Sequence, residues 1–195
     1  MTTVFLAVTG AQGAGKSIFT KIAQDNYQLP TYRMGEVILE ACQKRGVEIT
    51  GRNMGKMASI LRYEGGPQAV AQKSLPKIRS LIQETRPKLV IIDGIRSYSE
   101  LSLFKEELGD VRLVAIIASL KMRKQRVETR KRIDHNSQGD FEERETRELG
   151  FGLGEVITKA DYFILNEDIS EKEFVEKVKL FLNKILAEIR ENKED

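Results

Sequence analysis

Residues 10–17 read Gly10-Ala11-Gln12-Gly13-Ala14-Gly15-Lys16-Ser17, and this stretch decides the fold. It satisfies the spacing Gly-x4-Gly-Lys-Ser/Thr in full. The apolar run 4–8 precedes it, and apolar residues recur at helical spacing through 18–23. The spacing marks a phosphate-binding loop when it lies between a buried strand and a helix, as it does here. The alternative is an ordinary glycine-rich turn.

Three residues of this region have expected roles in holding phosphates. Backbone N–H groups of the loop point at phosphate oxygens, and the side chain of Lys16 reaches the β- and γ-phosphates. The hydroxyl of Ser17 ligates Mg²⁺. Asp93 ends the apolar run 89–92, where parallel sheets bind ligands, and it holds Mg²⁺ or orients the acceptor. The alternative for Asp93 is a cap on the next helix.

Composition narrows the class of protein. The chain has 195 residues, 41% hydrophobic and 31% charged, which suits one globular domain. The single cysteine, Cys42, excludes an internal disulfide, and the single histidine, His135, excludes a histidine metal cluster. The net charge of +3 is too small to indicate nucleic acid by itself. No run is apolar and long enough to span a membrane, so the expected location is the cytoplasm.

Strands and helices alternate along the chain, which predicts a parallel sheet with helices on both faces. A purely helical excursion lies between the second and third strands, with a loop at 47–55. The expected strands are 3–9, 29–33, 88–94, 111–118 and 162–165. No repeat or linker indicates a second domain.

Two groups of arginines follow the fourth strand. Arg123, Arg126 and Arg130 share one helix face, and Arg144 and Arg147 are three apart on the next helix. We interpret them as a mobile arm that closes over a nucleotide and stabilises the charge on a transferring phosphoryl group. The alternative is a pair of salt-bridged surface helices, because glutamates interleave with the second group. The first group is Arg123, Arg126, Arg130 and Arg132; the second, after a turn at Gly139, is Arg144 and Arg147.

Two further residues lie at strand ends. Arg96 follows Asp93 closely, and it either reaches an acceptor phosphate or is a solvated loop residue. Asn166 follows the last strand, and its amide either contacts an adenine edge or forms a turn. Nucleic-acid binding through the arginine arm is disfavoured because acids balance its charge and Phe141 is its only aromatic residue.

With these residues identified, the chain resembles the nucleoside monophosphate kinase branch of the phosphate-loop proteins, including adenylate kinase and dephospho-CoA kinase. It resembles more closely an archaeal-type family related to those two kinases. The resemblance runs nearly end to end. It rests on the segments 8–17, 34–38, 61–65, 90–97, 144–149 and 160–167.

The resemblance implies a three-layer α/β/α P-loop NTPase domain with a five-stranded parallel sheet. Its core would comprise 1–33, 87–130 and 151–195, with a helical acceptor-binding insert at 34–86 and an arginine-rich lid at 131–150. It also implies catalytic roles for Arg126 and Arg130 near the donor nucleotide, lid roles for Arg132, Arg144 and Arg147, and acceptor binding by Gly35.

The chain departs from the adenylate kinase pattern at the acceptor site. Leu39 stands where that pattern has an acceptor-binding arginine, and Arg96 is displaced by one position. Arg62, in the longer helical insert, is the candidate replacement. The identity of the acceptor therefore cannot be copied from adenylate kinase.

We predict an enzyme, a phosphotransferase that uses Mg²⁺ and ATP to phosphorylate a nucleoside monophosphate or a related small nucleotide-like acceptor. Lys16 and Asp93 would be catalytic with Arg126 and Arg130. A second hypothesis is a nucleotide-gated regulatory protein or slow ATPase without a small-molecule acceptor. A third is a structural or nucleic-acid protein with a vestigial loop. The expected partners are small nucleotides and no membrane; nothing in the sequence indicates a protein partner.

Overall fold

The computed structural model describes residues 3–129 and 139–191, and within them a sheet of five parallel strands. Their order across the sheet is β2-β3-β1-β4-β5. Crossovers between parallel strands need helices, and the chain supplies them at each step. The strands are β1 (Val4–Thr9), β2 (Thr31–Arg33), β3 (Leu89–Asp93), β4 (Val111–Ile117) and β5 (Tyr162–Leu165).

Helices cover both faces of this sheet. Because side chains alternate along a strand, Phe5 and Ala7 of β1 face one layer while Leu6 and Val8 face the other. The described helices are α1 (Lys16–Tyr27), α2 (Gly35–Lys44), α3 (Gly51–Gly65), α4 (Ala69–Thr85), α5 (Tyr98–Leu108), α6 (Leu120–Thr129), α7 (Gly139–Gly150), α8 (Leu153–Thr158) and α9 (Glu171–Glu191).

The two layers have separate hydrophobic cores. Helices α1 and α9 pack on one face through residues such as Phe19 and Phe174, both fully buried. Helices α2, α3, α4, α5 and α8 pack on the other face, where Phe104 and Ile78 are fully buried. The predicted three-layer α/β/α fold with a five-stranded parallel sheet is confirmed. None of the helices described here is long and apolar enough to cross a bilayer.

The predicted loop at 47–55 is wrong in its second half. Helix α3 begins at Gly51 because the side chain of Thr50 caps it, accepting a hydrogen bond of 3.1 Å from the Asn53 N–H. The cap places residues 51–54 of the insert on a helix. Helix α3 lies beside α7, and its Gly55 approaches the guanidinium group of Arg147 closely.

The register of the strands brings the chemistry-bearing residues to one edge. Val8 pairs with Asp93, and Asp93 pairs with Arg33, so β1, β2 and β3 end side by side. The phosphate loop leaves β1 at this edge, and Asn166 follows β5 there, with its N–H donating to Ile117 O at the end of β4. The carboxyl ends of the strands therefore form the floor of the site.

Candidate functional site

The phosphate loop has a backbone that only glycine accommodates at several positions. Gly10, Gly13 and Gly15 have φ angles of 139°, 77° and 120°. A Cβ on Gly13 would lie 2.6 Å from Arg123 O, and one on Gly15 would lie 2.7 Å from Asn166 Nδ2. These close approaches hold the loop against α6 and the end of β5. The loop is a cradle shaped by its glycines, as phosphate binding requires.

The ammonium group of Lys16 lies against the start of the same loop. Its Nζ donates hydrogen bonds of 2.5 Å to Gly10 O and 3.0 Å to Ala11 O. Burial first, and then the positive charge of Arg96, lower the pKa of Lys16 to about 7, although the carboxylates of Glu148 and Asp93 act in the opposite direction. A phosphate anion placed here would favour the charged ammonium. The site is therefore electrostatically prepared for a negatively charged ligand.

A cavity of about 250 Å³ opens beside the loop, and Ser17 and Asp93 line it together. The Oδ1 atom of Asp93 is buried, and none of the described residues donates a hydrogen bond to it. A buried carboxylate oxygen without a donor suits a hard cation such as Mg²⁺. Within the described chain no three carboxylate, histidine or cysteine side chains cluster as a metal cage. Ser17 and Asp93 thus fit a cation that is completed by phosphate oxygens.

Arg96 and Arg144 stand at the boundary between this cavity and a second one. Both line the two cavities, and both contact the same carboxylate, Glu148. Arg144 Nε donates to Glu148 Oε1 at 2.9 Å, and Arg96 Nη2 lies 3.3 Å from the same oxygen. Arg96 Nη1 also donates to Gly10 O at 2.9 Å. The side chain of Arg96 is therefore held by these contacts, with 15% of it exposed, and it is not a solvated loop arginine.

Glu148 is a residue of the site that the sequence did not single out. Burial raises its pKa, but the positive charges of Arg96, Arg144 and Lys16 lower it more, and the net value is about 2. The carboxylate is therefore ionised at neutral pH. Its Oε2 is buried without a hydrogen-bond donor among the described residues. The spacing of four residues from Arg144 was the one sequence signal of its role.

The second cavity, of about 380 Å³, brings together most of the predicted acceptor and lid residues. Gly35, Arg62, Arg96, Arg144 and Arg147 all line it. A Cβ added to Gly35 would meet no atom within 4 Å, so this glycine leaves open space in both cavities. We name the two cavities after the sequence predictions for their lining residues: the second is called the acceptor cavity, and the one beside the loop the donor cavity.

Arg62 is held by a carboxylate that the sequence analysis also overlooked. Its Nη2 donates to Glu100 Oε1 at 2.5 Å, and its Nη1 donates to Ala58 O at 3.1 Å. The guanidinium group also lies 4.2 Å from the centre of the Phe151 ring. Glu100 is fully buried and accepts the Arg96 N–H as well. The Nε atom of Arg62 is buried without a hydrogen-bond partner among the described residues, and the predicted role of Arg62 as a phosphate-binding residue stays a prediction.

The lid helix α7 is attached to the phosphate loop and to α6. Gln12 Nε2 donates to Phe141 O at 2.6 Å, and Arg123 forms a two-bond ion pair of 2.6 and 2.8 Å with Glu145. Arg123 Nη1 also reaches Gln12 O at 3.3 Å. The salt bridges of the alternative interpretation are therefore present, and they fasten the helix that carries Arg144 and Arg147. Closure of this region over a nucleotide stays a prediction.

Asn166 and Arg126 form a second support for the loop. Asn166 Nδ2 donates to Ala14 O at 2.8 Å, while Arg126 donates to Asn166 O and to Asn166 Oδ1 at 3.0 and 3.1 Å. The amide of Asn166 is buried in these bonds. Its predicted contact with adenine and the catalytic role of Arg126 remain predictions. Arg130, Arg132 and the lid segment 131–138 lie outside the described residues.

Solved structures with a similar fold include kinases. TT1252 from Thermus thermophilus matches with a TM-score of 0.67 at 16% identity, over 96% of this chain and 98% of that one. Shikimate kinase from Acinetobacter baumannii, in complex with shikimate, matches with a TM-score of 0.56 at 16% identity, over 96% and 95%. At these identities the likeness concerns the fold alone. The protein has a P-loop kinase-like fold.

Sequence comparisons define the family more narrowly. A family model described as "AAA domain" matches residues 9–147. A UPF0200 protein of Thermococcus onnurineus is 39% identical over 95% of this chain and 100% of its own length, and one of Hyperthermus butylicus is 37% identical over 95% and 96%. The chain belongs to the AAA domain family and to the UPF0200 proteins. A specific relation to adenylate kinase and dephospho-CoA kinase stays a prediction.

Proposed function

We propose that the protein is a phosphotransferase, which moves the γ-phosphate of ATP to a nucleoside monophosphate or a related small nucleotide-like acceptor. One observation carries the proposal: the donor cavity and the acceptor cavity meet at Arg96 and Arg144. Two binding spaces that share two guanidinium groups provide positive charge where a phosphoryl group would pass between substrates.

The residues of the chain divide the work of positioning. Glycines of the loop direct backbone N–H groups at the donor phosphates, and Lys16 supplies a cation beside them. Ser17 and Asp93 would hold Mg²⁺, which when bound neutralises charge on the phosphates. Arg96 and Arg144 remain in place through Glu148, so the charge stabilisation needs no rearrangement of the loop after β3.

The division of the chain into parts follows the same proposal. The core at 1–33, 87–130 and 151–195 binds the donor, the insert at 34–86 supplies the far wall of the acceptor cavity, and the lid at 131–150 closes over both. A relation to adenylate kinase and dephospho-CoA kinase is part of this proposal. The location of Gly35 between the two cavities supports it.

A nucleotide-gated regulatory protein or slow ATPase is the second candidate. The observation that favours it is that Glu148 and Glu100 already engage Arg96, Arg144 and Arg62. An acceptor phosphate would have to compete with these carboxylates. In that case ATP hydrolysis would proceed slowly without any acceptor.

ADP formation from Mg²⁺-ATP distinguishes the two candidates. It is measured with and without AMP, CMP, UMP, GMP, dTMP and dephospho-CoA. A sharp increase with one or more acceptors supports the kinase, and a slow rate indifferent to all of them supports the second candidate. Lys16→Ala is the blank, and Lys21→Ala, an exposed lysine on the same helix, is its matched control. Full turnover in a folded Lys16→Ala protein would contradict both candidates.

A further inference from the structure

The donor cavity contains an arginine, Arg33, to which the proposed function gives no role. Arg33 ends β2, and it lines the cavity together with Lys16, Ser17 and Asp93. The parallel register pairs Arg33 with Asp93, and the Met34 N–H donates to Asp93 O at 3.0 Å. The backbone of Arg33 is therefore fixed beside the predicted metal ligand, at the carboxyl edge of the sheet.

The charge of Arg33 has no counter-charge within the part of the chain that the structure describes. Lys16 donates to two carbonyl oxygens of the loop. Arg96 and Arg144 share the carboxylate of Glu148. Arg33, in contrast, is exposed, and no described residue accepts a hydrogen bond from its side chain or forms an ion pair with it. Because a guanidinium group keeps its charge at every physiological pH, this side chain can bind an anion that enters the cavity.

The order of the strands locates Arg33 relative to the donor phosphates. The loop leaves β1, Asp93 ends β3 beside it, and Arg33 ends β2 one strand further out, about 10 Å from the end of β1. In phosphate-loop enzymes the cation held at positions such as Ser17 and Asp93 bridges the β- and γ-phosphates. The end of β2 therefore lies on the side of this cation position that faces away from the loop.

Gly35 connects this position to the acceptor cavity. It follows Arg33 by two residues and lines both cavities, and a Cβ there would meet no atom within 4 Å. Direct transfer requires the terminal phosphate of the donor to face the acceptor, so the proposed function places that phosphate toward the opening at Gly35. An arginine at the end of β2 is thus positioned for the terminal phosphate and not for the phosphates that the loop binds.

We propose, on the basis of the proposed function, that Arg33 binds the terminal phosphate of the donor nucleoside triphosphate and so distinguishes the triphosphate from the diphosphate. The guanidinium group donates charge-assisted hydrogen bonds to oxygens of the γ-phosphate, which a diphosphate lacks. Before transfer, Arg33 holds this phosphate at the opening to the acceptor cavity. After transfer, the diphosphate that remains makes no such contact and is released more readily.

Equilibrium binding tests this proposal without requiring transfer. The non-hydrolysable triphosphate analogue AMP-PNP and ADP are each titrated calorimetrically, with Mg²⁺, into the whole wild-type protein and into Arg33→Gln. The variant should bind AMP-PNP at least about 10-fold more weakly, because it loses hydrogen bonds from a charged donor, whereas its affinity for ADP should change by less than about 3-fold. Equal losses for both nucleotides, no loss for either, or a wild-type protein that binds neither nucleotide would each overturn the proposal.

Loss of folding does not complicate this test. Arg33 is exposed and has no partner among the described residues, so Arg33→Gln should melt at the temperature of the wild-type protein. Arg190→Gln, at an exposed position on α9, is the matched control and should bind both nucleotides as the wild type does. An equal loss of AMP-PNP affinity in this control would show that the protein responds only to total charge, which would contradict the proposal.

The proposed function fails in a different way. If Arg33→Gln loses affinity for AMP-PNP alone but no acceptor raises ADP formation by the wild-type protein, the contact of Arg33 stands and the kinase activity does not. If an acceptor raises ADP formation while Arg33→Gln binds AMP-PNP as the wild type does, the kinase activity stands and the contact of Arg33 does not.

Discussion

Arg96, in the loop after β3, places its Nη2 3.3 Å from Glu148 Oε1 on the lid helix α7. The contact joins two parts of the chain that are 52 residues apart and that border both cavities. Arg144 completes the group from the same helix, one turn before Glu148. One carboxylate thus determines where two guanidinium groups lie. This relationship makes α7 part of the site.

Loss of the Glu148 charge should destabilise the protein in a pH-dependent way. Its pKa is about 2 in the folded protein against a usual 4.5, so its ionisation stabilises the fold fully above pH 4.5. This contribution is lost as the pH falls from 4.5 towards 2. Glu148→Gln should therefore lower the free energy of unfolding by at most about 3 kcal/mol at pH 7. The difference from wild type should shrink at pH 3, as measured by urea denaturation.

The matched control for this prediction is Glu64→Gln. Glu64 pairs with Arg45 at 2.7 Å, but both side chains are largely exposed. Screening by water leaves such a pair with little effect on stability, so the control should resemble wild type at both pH values. The free energy of unfolding of Glu148→Gln could instead stay below that of wild type by the same amount from pH 7 to pH 3. In that case the carboxylate would act through packing and not through charge.

Arg96→Lys should impair the proposed transfer more than it impairs folding. Arg96 reaches Gly10 O and Glu148 with two different nitrogens, and a lysine ammonium is a single point that cannot span both. We expect kcat to fall by about 100-fold, the size of effect seen when one donor to a developing charge is removed. Steady-state kinetics with the best acceptor measures it. Arg79→Lys, in an exposed pair with Glu107, is the control, and an equal loss there would refute the prediction.

The ion pair between Arg123 and Glu145 should fasten the lid helix to the loop. Both side chains are mostly buried, and Arg123 also donates to Gln12 O. Glu145→Gln should destabilise the protein by about 3 kcal/mol, because a buried charge loses its partner. The double variant Arg123→Met/Glu145→Gln should recover part of that loss. A cycle of thermal denaturation experiments measures the coupling.

The exposed pair formed by Lys124 and Glu142 is the comparison for that cycle. It joins the same two helices at 2.6 Å, yet both side chains are at least 40% exposed. Glu142→Gln should therefore change the melting temperature little. If Glu145→Gln and Glu142→Gln lowered the melting temperature equally, burial would not explain the contribution of the pair between Arg123 and Glu145.

The sequence was sufficient for most of the fold because local patterns dictate it. The apolar run before Asp93 and the glycine spacing at 10–17 place the third strand and the phosphate loop without tertiary information. The start of α3 was missed because the capping residue, Thr50, lies beside a glycine that resembles a loop signal. The local pattern did not reveal that Gly51 opens a capped helix.

The carboxylates of the site could not be predicted in the same way. Glu148 and Glu100 are ordinary helix residues in sequence, and their importance comes from arginines brought to them by the fold. Periodicity shows which face of a helix a residue shares, but it does not show which distant partner lies opposite. The arginines were therefore recognisable by charge and clustering, whereas their counter-charges required the packing of α7 on the loop.

Replacement of Asn166 should separate a support for the loop from a contact with the donor base. Asn166 Nδ2 donates to Ala14 O, and its oxygens accept from Arg126, so the structure predicts that Asn166→Ala loosens the loop itself. We expect the affinity for ATP and that for inorganic tripolyphosphate, which has no base, to fall together by about 10-fold, the loss of about one buried hydrogen bond. Calorimetric titration of both ligands measures this. If the affinity for ATP fell while that for tripolyphosphate did not, the amide would be reading adenine, and the loop would be held by its glycine contacts alone.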